Sequence, residues 1–295
     1  MCGHCGCGGE AGTTVLSLET GTETVMQRGL PSHSHDHDHP QDHDHAQGHS
    51  YFQNHDHRRD DAHHHDSHAS AEDALVELET RILAKNDALA EKNRAWFQGR
   101  EILALNLVSS PGAGKTSLLE RTIRDLSREL PLYVIEGDQA TAYDGERIRA
   151  AGAPAVQVNT GSGCHLEADM VARGLQELRP SVGSIVMIEN VGNLVCPALF
   201  DLGERAKVVI LSVTEGDDKP LKYPHMFRAA DLMILNKIDL LPHVDFDVSR
   251  AIANAAQVNP AITALELSAR SGEGLDGWYA WLRREAAAVR GAVFS

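Results

Sequence analysis

Seven short apolar runs set the tightest limit on what this chain can fold into: Ile102–Val108, Leu132–Ile135, Ala155–Val158, Ile185–Ile188, Lys207–Val213, Leu232–Leu235 and Ile262–Leu267. Each has about the length of a strand, and runs of this apolar type are expected to be buried on both faces. Several are separated by segments long enough for helices. The alternation predicts an α/β domain, doubly wound around a mostly parallel sheet. Upstream, Leu75, Leu78, Ile82, Leu83, Leu89 and Trp96 recur near helical spacing among charged residues between Ala71 and Phe97, which predicts an amphipathic helix leading into that domain.

The first 70 residues obey different physics. They hold 14 of the 17 histidines, and 11 Asp and Glu against three Arg give them -8 of the formal net charge of -15. Residues 33–70 are almost wholly His, Asp, Ser, Gln and Gly, too poor in apolar groups to offset the entropy of ordering, so this tract is expected to be disordered without metal. Residues 1–32 read as a Cys/Gly-rich tip and a Thr/Glu/Gly-rich linker, which leaves 71–295 as the folded domain. No basic stripe with interleaved aromatics suggests a nucleic-acid partner, and no run approaches about 18 uninterrupted apolar residues, which excludes a membrane span. The segment from Met1 to Cys7 lacks the basic and apolar regions of a secretory leader, so a cytoplasmic location is expected. In a reducing compartment five cysteines point to metal or thiolate chemistry rather than to a disulfide framework.

The strongest local signal is Asn106-Leu-Val-Ser-Ser-Pro-Gly-Ala-Gly-Lys-Thr-Ser-Leu-Leu119, an apolar strand, a glycine-rich turn and a helical pattern. A phosphate loop requires G-x-x-x-x-G-K-[ST]; Ser109 stands at its first glycine, while Gly114, Lys115 and Thr116 match. Small residues let successive backbone N–H groups face phosphate oxygens, Lys115 reaches the β and γ positions, and the Thr116 hydroxyl suits Mg²⁺ at a helix N-terminus. Ser110, Gly112, Ala113, Gly114, Lys115, Thr116 and Ser117 are therefore candidate phosphate-binding residues.

The base is read from Asn236-Lys-Ile-Asp239, which matches the N-K-x-D element of P-loop GTPases. Guanine presents two donors side by side, which the Asp239 carboxylate can accept and adenine cannot supply; Lys237 is expected over the ring face. Ser268 and Ala269 follow the last run, where such GTPases place a backbone donor to guanine O6. Acidic residues close two further runs, in Glu136-Gly-Asp138 and in Glu189-Asn-Val-Gly192. Asp138 and Glu189 are candidates for direct or water-mediated Mg²⁺ contacts, and Asp144 for orienting the attacking water.

Three places could hold a transition metal. Cys2, Cys5 and Cys7, with the terminal amine or His4, offer a four-coordinate set, planar for Ni²⁺ or tetrahedral for Zn²⁺. The tract with His33, His35, His37, His39, His43, His45, His63, His64 and His65 offers many weak overlapping sites, a composition suited to storage. The remaining cysteines, Cys164 and Cys196, each follow an expected strand end on the nucleotide edge. His165 adjoins Cys164, but neighbours on a regular strand or helix point apart, so chelation by both needs a loop or a symmetric partner chain.

Taken together, the phosphate loop, Glu136-Gly-Asp-Gln-Ala-Thr141, Gly163-Cys-His-Leu166, Glu189-Asn-Val-Gly-Asn-Leu-Val-Cys-Pro197, Lys219-Pro-Leu-Lys-Tyr-Pro224 and Asn236-Lys-Ile-Asp239 resemble the hydrogenase nickel-incorporation GTPases of the HypB family, over residues 72–290. The three-cysteine tip and the histidine tract resemble elements found in some of its members. The resemblance implies a GTP-dependent homodimer that carries nickel or zinc at Cys164, His165 and Cys196 near the subunit interface. It also implies handover, with the accessory protein HypA, to the large-subunit precursor of [NiFe]-hydrogenase. A switch that cycles between Mg²⁺-bound GTP and GDP needs only occasional turnover, so a slow GTPase is expected. A urease-maturation GTPase and a protein whose main task is nickel buffering are the rival readings.

Overall fold

The computed structural model describes residues 14–18, 23–25, 71–138, 143–161 and 163–291. Cys2, Cys5, Cys7, the histidines from His33 to His65 and the side chain of Asp138 lie outside the described residues. Strands β1 (Thr14–Ser17) and β2 (Glu23–Val25) precede helix α1 (Ala71–Gln98). The seven expected strands follow as β3 (Leu103–Ser109), β4 (Leu132–Asp138), β5 (Ala155–Asn159), β6 (Ile185–Glu189), β7 (Ala206–Ser212), β8 (Leu232–Asn236) and β9 (Thr263–Glu266). Between them lie α2 (Lys115–Leu126), α3 (Tyr143–Ala151), α4 (Ala168–Leu178), α5 (Cys196–Leu199), α6 (Lys219–Lys222), α7 (Pro224–Ala229), a 3-10 helix (Ile238–His243) and α8 (Val248–Val258), and α9 (Leu275–Gly291) closes the domain.

The sheet runs in the order β2-β1-β5-β4-β6-β3-β7-β8-β9, parallel from β5 to β9. Every residue of β3 is buried, because its two faces feed different cores. Leu103, Leu105 and Leu107 pack with Leu118, Ile123 and Trp278 from α2 and α9, while Ile102 and Ala104 pack with Phe97, Val171 and Leu175 from α1 and α4. Burial on both faces is why the runs are continuously apolar. The run at Ile262–Leu267 differs, since β9 is an edge strand and Thr263 and Glu266 are exposed. The chain passes from β3 over β6 to β4 and returns, so the strand order reverses beside β3 and leaves a crevice at the carboxyl ends of β3, β4 and β6.

Two expectations are corrected. Within the segment read as linker, β1 and β2 form an antiparallel hairpin whose β1 pairs with β5 from Thr14 opposite Asn159 to Ser17 opposite Val156, so the sheet begins before residue 71. Val15 and Leu18 are buried, and Leu18 seats against Gly145, where an added Cβ would lie 2.6 Å from its Cδ1. Four residues with a single buried alternation gave no signal to distinguish this edge strand from a linker.

In α1 the helix is as expected, but the first part of its apolar stripe does not dock, while Leu83, Leu89 and Trp96 are half-buried. Leu78 and Ile82 are exposed, while Asn86, Ala90, Asn93 and Phe97 are buried. Polar groups share that contact with Phe97: Asn93 Nδ2 donates to the carbonyls of Ala168 (2.8 Å) and Leu202 (3.0 Å), and Asn86 joins Asp201 O to the Ala168 N–H. Gly203 permits it, since a Cβ there would fall 2.5 Å from Ala90 O. Among the described residues no helix is long and apolar enough to cross a membrane.

Candidate functional site

Five residues separate β3 from α2, and the turn is made by Gly112 (φ 75°) and Gly114 (φ 96°). Gly114 has a second constraint, because a Cβ would lie 2.5 Å from Asn236 Nδ2. No side chain caps the N-terminus of α2, so its first backbone N–H groups are available to an anion. Ser109, at the departed glycine position, is buried. Its Oγ donates to Ser110 O at 2.7 Å and accepts from Lys115 Nζ at 3.1 Å, so it helps to hold the lysine at the mouth of the loop.

The crevice encloses about 430 Å³, walled by the phosphate loop, Glu136, Gly137, Asp144, Arg147, Glu189, Asn190, Gly192 and Lys237. Thr116 Oγ1 donates to Glu189 Oε1 at 2.8 Å, while Glu189 Oε2 is buried and accepts no hydrogen bond among the described residues. Burial pushes the Glu189 carboxyl above its ordinary range, an effect opposed by Lys115 and by the Thr116 hydroxyl. A buried carboxylate oxygen with spare lone pairs beside a threonine hydroxyl fits a hard cation. Asp144 lies on the wall of the crevice but is tied to Arg147 at 2.9 Å, which also holds Glu120 at 2.9 Å. A larger hollow of about 510 Å³ lies between α1 and α4, lined by Trp96, Arg100 and Arg179, and none of the sequence candidates faces it.

The base loop is braced against the phosphate loop. Asn236 Nδ2 donates to Ala113 O at 2.9 Å, and its Oδ1 accepts the N–H groups of Lys237 (2.8 Å) and Ala269 (3.1 Å). Lys237, left-handed at φ 66°, sends Nζ 2.7 Å to Gly112 O. The Ala269 N–H, expected to face guanine O6, is thus directed to Asn236, and Ser268 is fully buried, its Oγ accepting the Ser271 N–H. Asp239 Oδ1 is buried with no hydrogen-bond partner among the described residues, which suits a carboxylate meant for two external donors.

Sequence reasoning passed over Glu136 in favour of Asp138. Glu136 is buried and pairs in register with Glu189 across β4 and β6, so its place at the equivalent strand end was the available signal. It also gave no role to Lys219, whose Nζ donates to Ser110 Oγ at 3.2 Å and pairs with Glu215 at 3.1 Å.

The transition-metal candidates come together within one chain. The ligand atoms of Cys164, His165 and Cys196 all lie within 4.8 Å of one another, with the thiol sulfurs 2.9 Å apart and Cys164 Sγ 3.6 Å from His165 Nδ1. Cys164 and His165 lie outside any helix or strand, in a segment turned at Gly161 (φ 60°) and tied by the Thr160 hydroxyl to Gly163 O at 2.8 Å, so adjacent side chains need not diverge. Cys196 opens α5. The His165 ring rests on Phe200, 3.9 Å between centroids, and burial lowers its pKa to about 4. It therefore offers a neutral imidazole near pH 7, with Nε2 buried and unbonded among the described residues. Two thiols and one imidazole at this spacing form a borderline-soft set suited to Ni²⁺ or Zn²⁺.

Residues 103–266 match the family described as CobW/HypB/UreG, nucleotide-binding domain. The chain is 59% identical over 225 residues to the hydrogenase maturation factor HypB of Rhizobium leguminosarum bv. viciae, covering 76% of this chain and 75% of that protein. Among solved structures it is similar to HypB from Archaeoglobus fulgidus, with 40% identity and a TM-score of 0.65 over 69% of this chain and 99% of that one. It is equally similar in fold to HypB from Helicobacter pylori in complex with nickel, with 37% identity and a TM-score of 0.65 over 69% of this chain and 96% of that one. On sequence, fold and site together, the chain belongs to the HypB hydrogenase maturation factors of the CobW/HypB/UreG nucleotide-binding family.

Proposed function

We propose that this chain hydrolyses GTP and uses its nucleotide state to control nickel held at Cys164, His165 and Cys196, for delivery to the large-subunit precursor of [NiFe]-hydrogenase. One observation carries the reading: the loop bearing Cys196 leaves the end of β6, which walls the nucleotide crevice, and the loop bearing Cys164 and His165, which leaves β5, packs on the end of β4, which walls it too. Cys196 lies seven residues beyond Glu189, and Leu166, next to His165, packs on Gly137, where an added Cβ would stand 2.7 Å away. The complex of the Helicobacter pylori relative with nickel supports the choice of cargo.

In this reading the N-terminal amides of α2 and Lys115 bind the phosphates, and Asp239 selects guanine. Thr116 and Glu189, with Asp138, would hold Mg²⁺, which supplies charge neutralisation on the phosphates. Asp144, the candidate for orienting the attacking water, is engaged by Arg147, which is consistent with slow turnover. Cys2, Cys5 and Cys7 and the histidine tract act as an accessory nickel reservoir. A GTP-promoted homodimer and HypA complete the handover in the cytoplasm. The reading is tested by producing Lys115→Ala and Cys164→Ala full-length chains in cells deprived of the native factor. Hydrogenase activity is expected to be lost in both at low nickel, and normal activity with either would overturn it.

A further inference from the structure

Asn190 stands where β6 ends and the loop toward Cys196 begins, and it is 1% exposed. Its Oδ1 accepts the N–H groups of Leu166 at 3.1 Å and of Val191 at 3.0 Å, while its Nδ2 donates to Asn106 Oδ1 at 3.2 Å. Leu166 follows His165, and Val191 opens the segment that runs to Cys196. A single side-chain oxygen therefore fastens the backbone of both metal-bearing loops. A second link, from Asn193 Nδ2 to Cys164 O, is longer at 3.3 Å and more exposed.

The direction of the Asn190 amide is imposed from within the core. Asn106 Nδ2 donates to Glu204 Oε1 at 3.0 Å, so Asn106 turns its oxygen toward Asn190. Asn190 must then present its NH₂ to Asn106 and its oxygen to the two loops. Glu204 is fixed in turn by the Leu202 N–H at 2.7 Å and by Lys207 Nζ at 3.6 Å. The same lysine donates to the carbonyls of Pro197 (2.9 Å) and Phe200 (3.4 Å), the residue after Cys196 and the residue under the His165 ring. At the nucleotide end, Gly192 packs on the phosphate loop, where an added Cβ would lie 3.2 Å from Pro111. A shift of Pro111 or Gly192 reaches the Val191 N–H directly.

We infer that Asn190, oriented by Asn106 and Glu204, is the positioning residue through which nucleotide state alters the metal cluster. The inference rests on the proposed coupling of the two sites and names the atoms that carry it. Replacing Asn190 removes the common anchor but leaves all three ligands.

The test uses the full chain carrying Cys2→Ser, Cys5→Ser and Cys7→Ser, so that of five cysteines only Cys164 and Cys196 remain. Co²⁺ is titrated in the GDP state and with a non-hydrolysable GTP analogue, following thiolate-to-metal charge transfer, which the histidine tract cannot produce. The reference chain is expected to show affinities that differ between states by about fivefold or more. Asn190→Ala is expected to retain the charge-transfer band but to bring the ratio close to one. Asn106→Leu, which keeps bulk but removes the orienting amide, is expected to lower the ratio as well, and it decides the matter if Asn190→Ala does not fold. A ratio unchanged in the folded variants overturns the inference while leaving the coupling intact. A ratio of one in the reference chain overturns both.

Discussion

The nucleotide crevice and the metal cluster share one edge of the sheet but are held together differently. In the crevice the phosphate and base loops are bonded to each other, Asn236 to Ala113 and Lys237 to Gly112, so its geometry is fixed by its own residues. The cluster's two loops meet mainly at the ligands and at two asparagines, one of which, Asn190, takes its orientation from the core. A site braced internally can bind the same ligand class through every cycle. One whose spacing is set by a neighbour can change affinity when that neighbour moves, which is the property a carrier needs.

Substitutions that strike one site and spare the other sharpen this contrast. Lys115→Ala should lower GTP hydrolysis by roughly 10²–10³-fold, the scale of losing one donor to developing charge, with thiolate–metal absorption preserved in the nucleotide-free chain. Cys196→Ser should weaken Co²⁺ or Ni²⁺ binding at the cluster by more than the roughly 10–100-fold typical of losing a group that merely orients a ligand. GTP affinity measured without metal should stay within about twofold; a larger change would mean that the cluster supports the crevice structurally.

Asp239→Asn should cost GTP about tenfold to a hundredfold, since it exchanges an acceptor for a donor opposite the guanine amine. Xanthosine triphosphate, with an oxygen at that position, should gain affinity in a competition assay, and equal losses for both nucleotides would remove Asp239 from base recognition.

The pH response separates the two kinds of metal ligand. His165, with its pKa lowered to about 4, stays neutral where a free histidine would protonate, so weakening of the cluster between pH 7 and pH 5 should follow thiol protonation alone. His165→Gln should reduce affinity without changing that pH slope. The sign for folding follows from the same shift: the unfolded chain takes up the proton first, below its ordinary value near 6.5. Stability attached to the neutral ring is therefore complete above about 6.5 and is lost as pH falls toward 4, which denaturant titration at pH 7 and pH 5 would register.

The smallest expected effect concerns the domain edge. Leu18→Ala should destabilise the fold by about 2 kcal/mol, at the low end for a buried leucine, and an unchanged melting temperature would detach the β1–β2 hairpin from the cooperative unit.

Much of this was legible in the sequence, for identifiable reasons. Strands buried on both faces write continuous apolar runs, and β3 to β8 fall where those runs stand. A phosphate loop and a base loop each use contiguous residues, so Lys115, Thr116 and Asp239 could be named before their surroundings were seen. Tertiary relations were not legible. The hairpin of β1 and β2 is too short to leave a pattern, α1 docks through Asn86, Asn93 and Phe97 rather than through Leu78 and Ile82, and Glu136 stands in the crevice wall because β6 lies beside β4. The orientation of Asn190 depends on Asn106, in β3, and on Glu204, in the loop before β7.

The most direct test of nucleotide-controlled nickel is a Ni²⁺ titration of the full chain with the three tip thiols replaced, read by thiolate charge transfer, in the GDP state and with a non-hydrolysable GTP analogue. The account predicts affinities that differ between the two states by about fivefold or more, and a signal that disappears in both with Cys164→Ala. Equal affinity in the two states, with nucleotide binding intact, would contradict it.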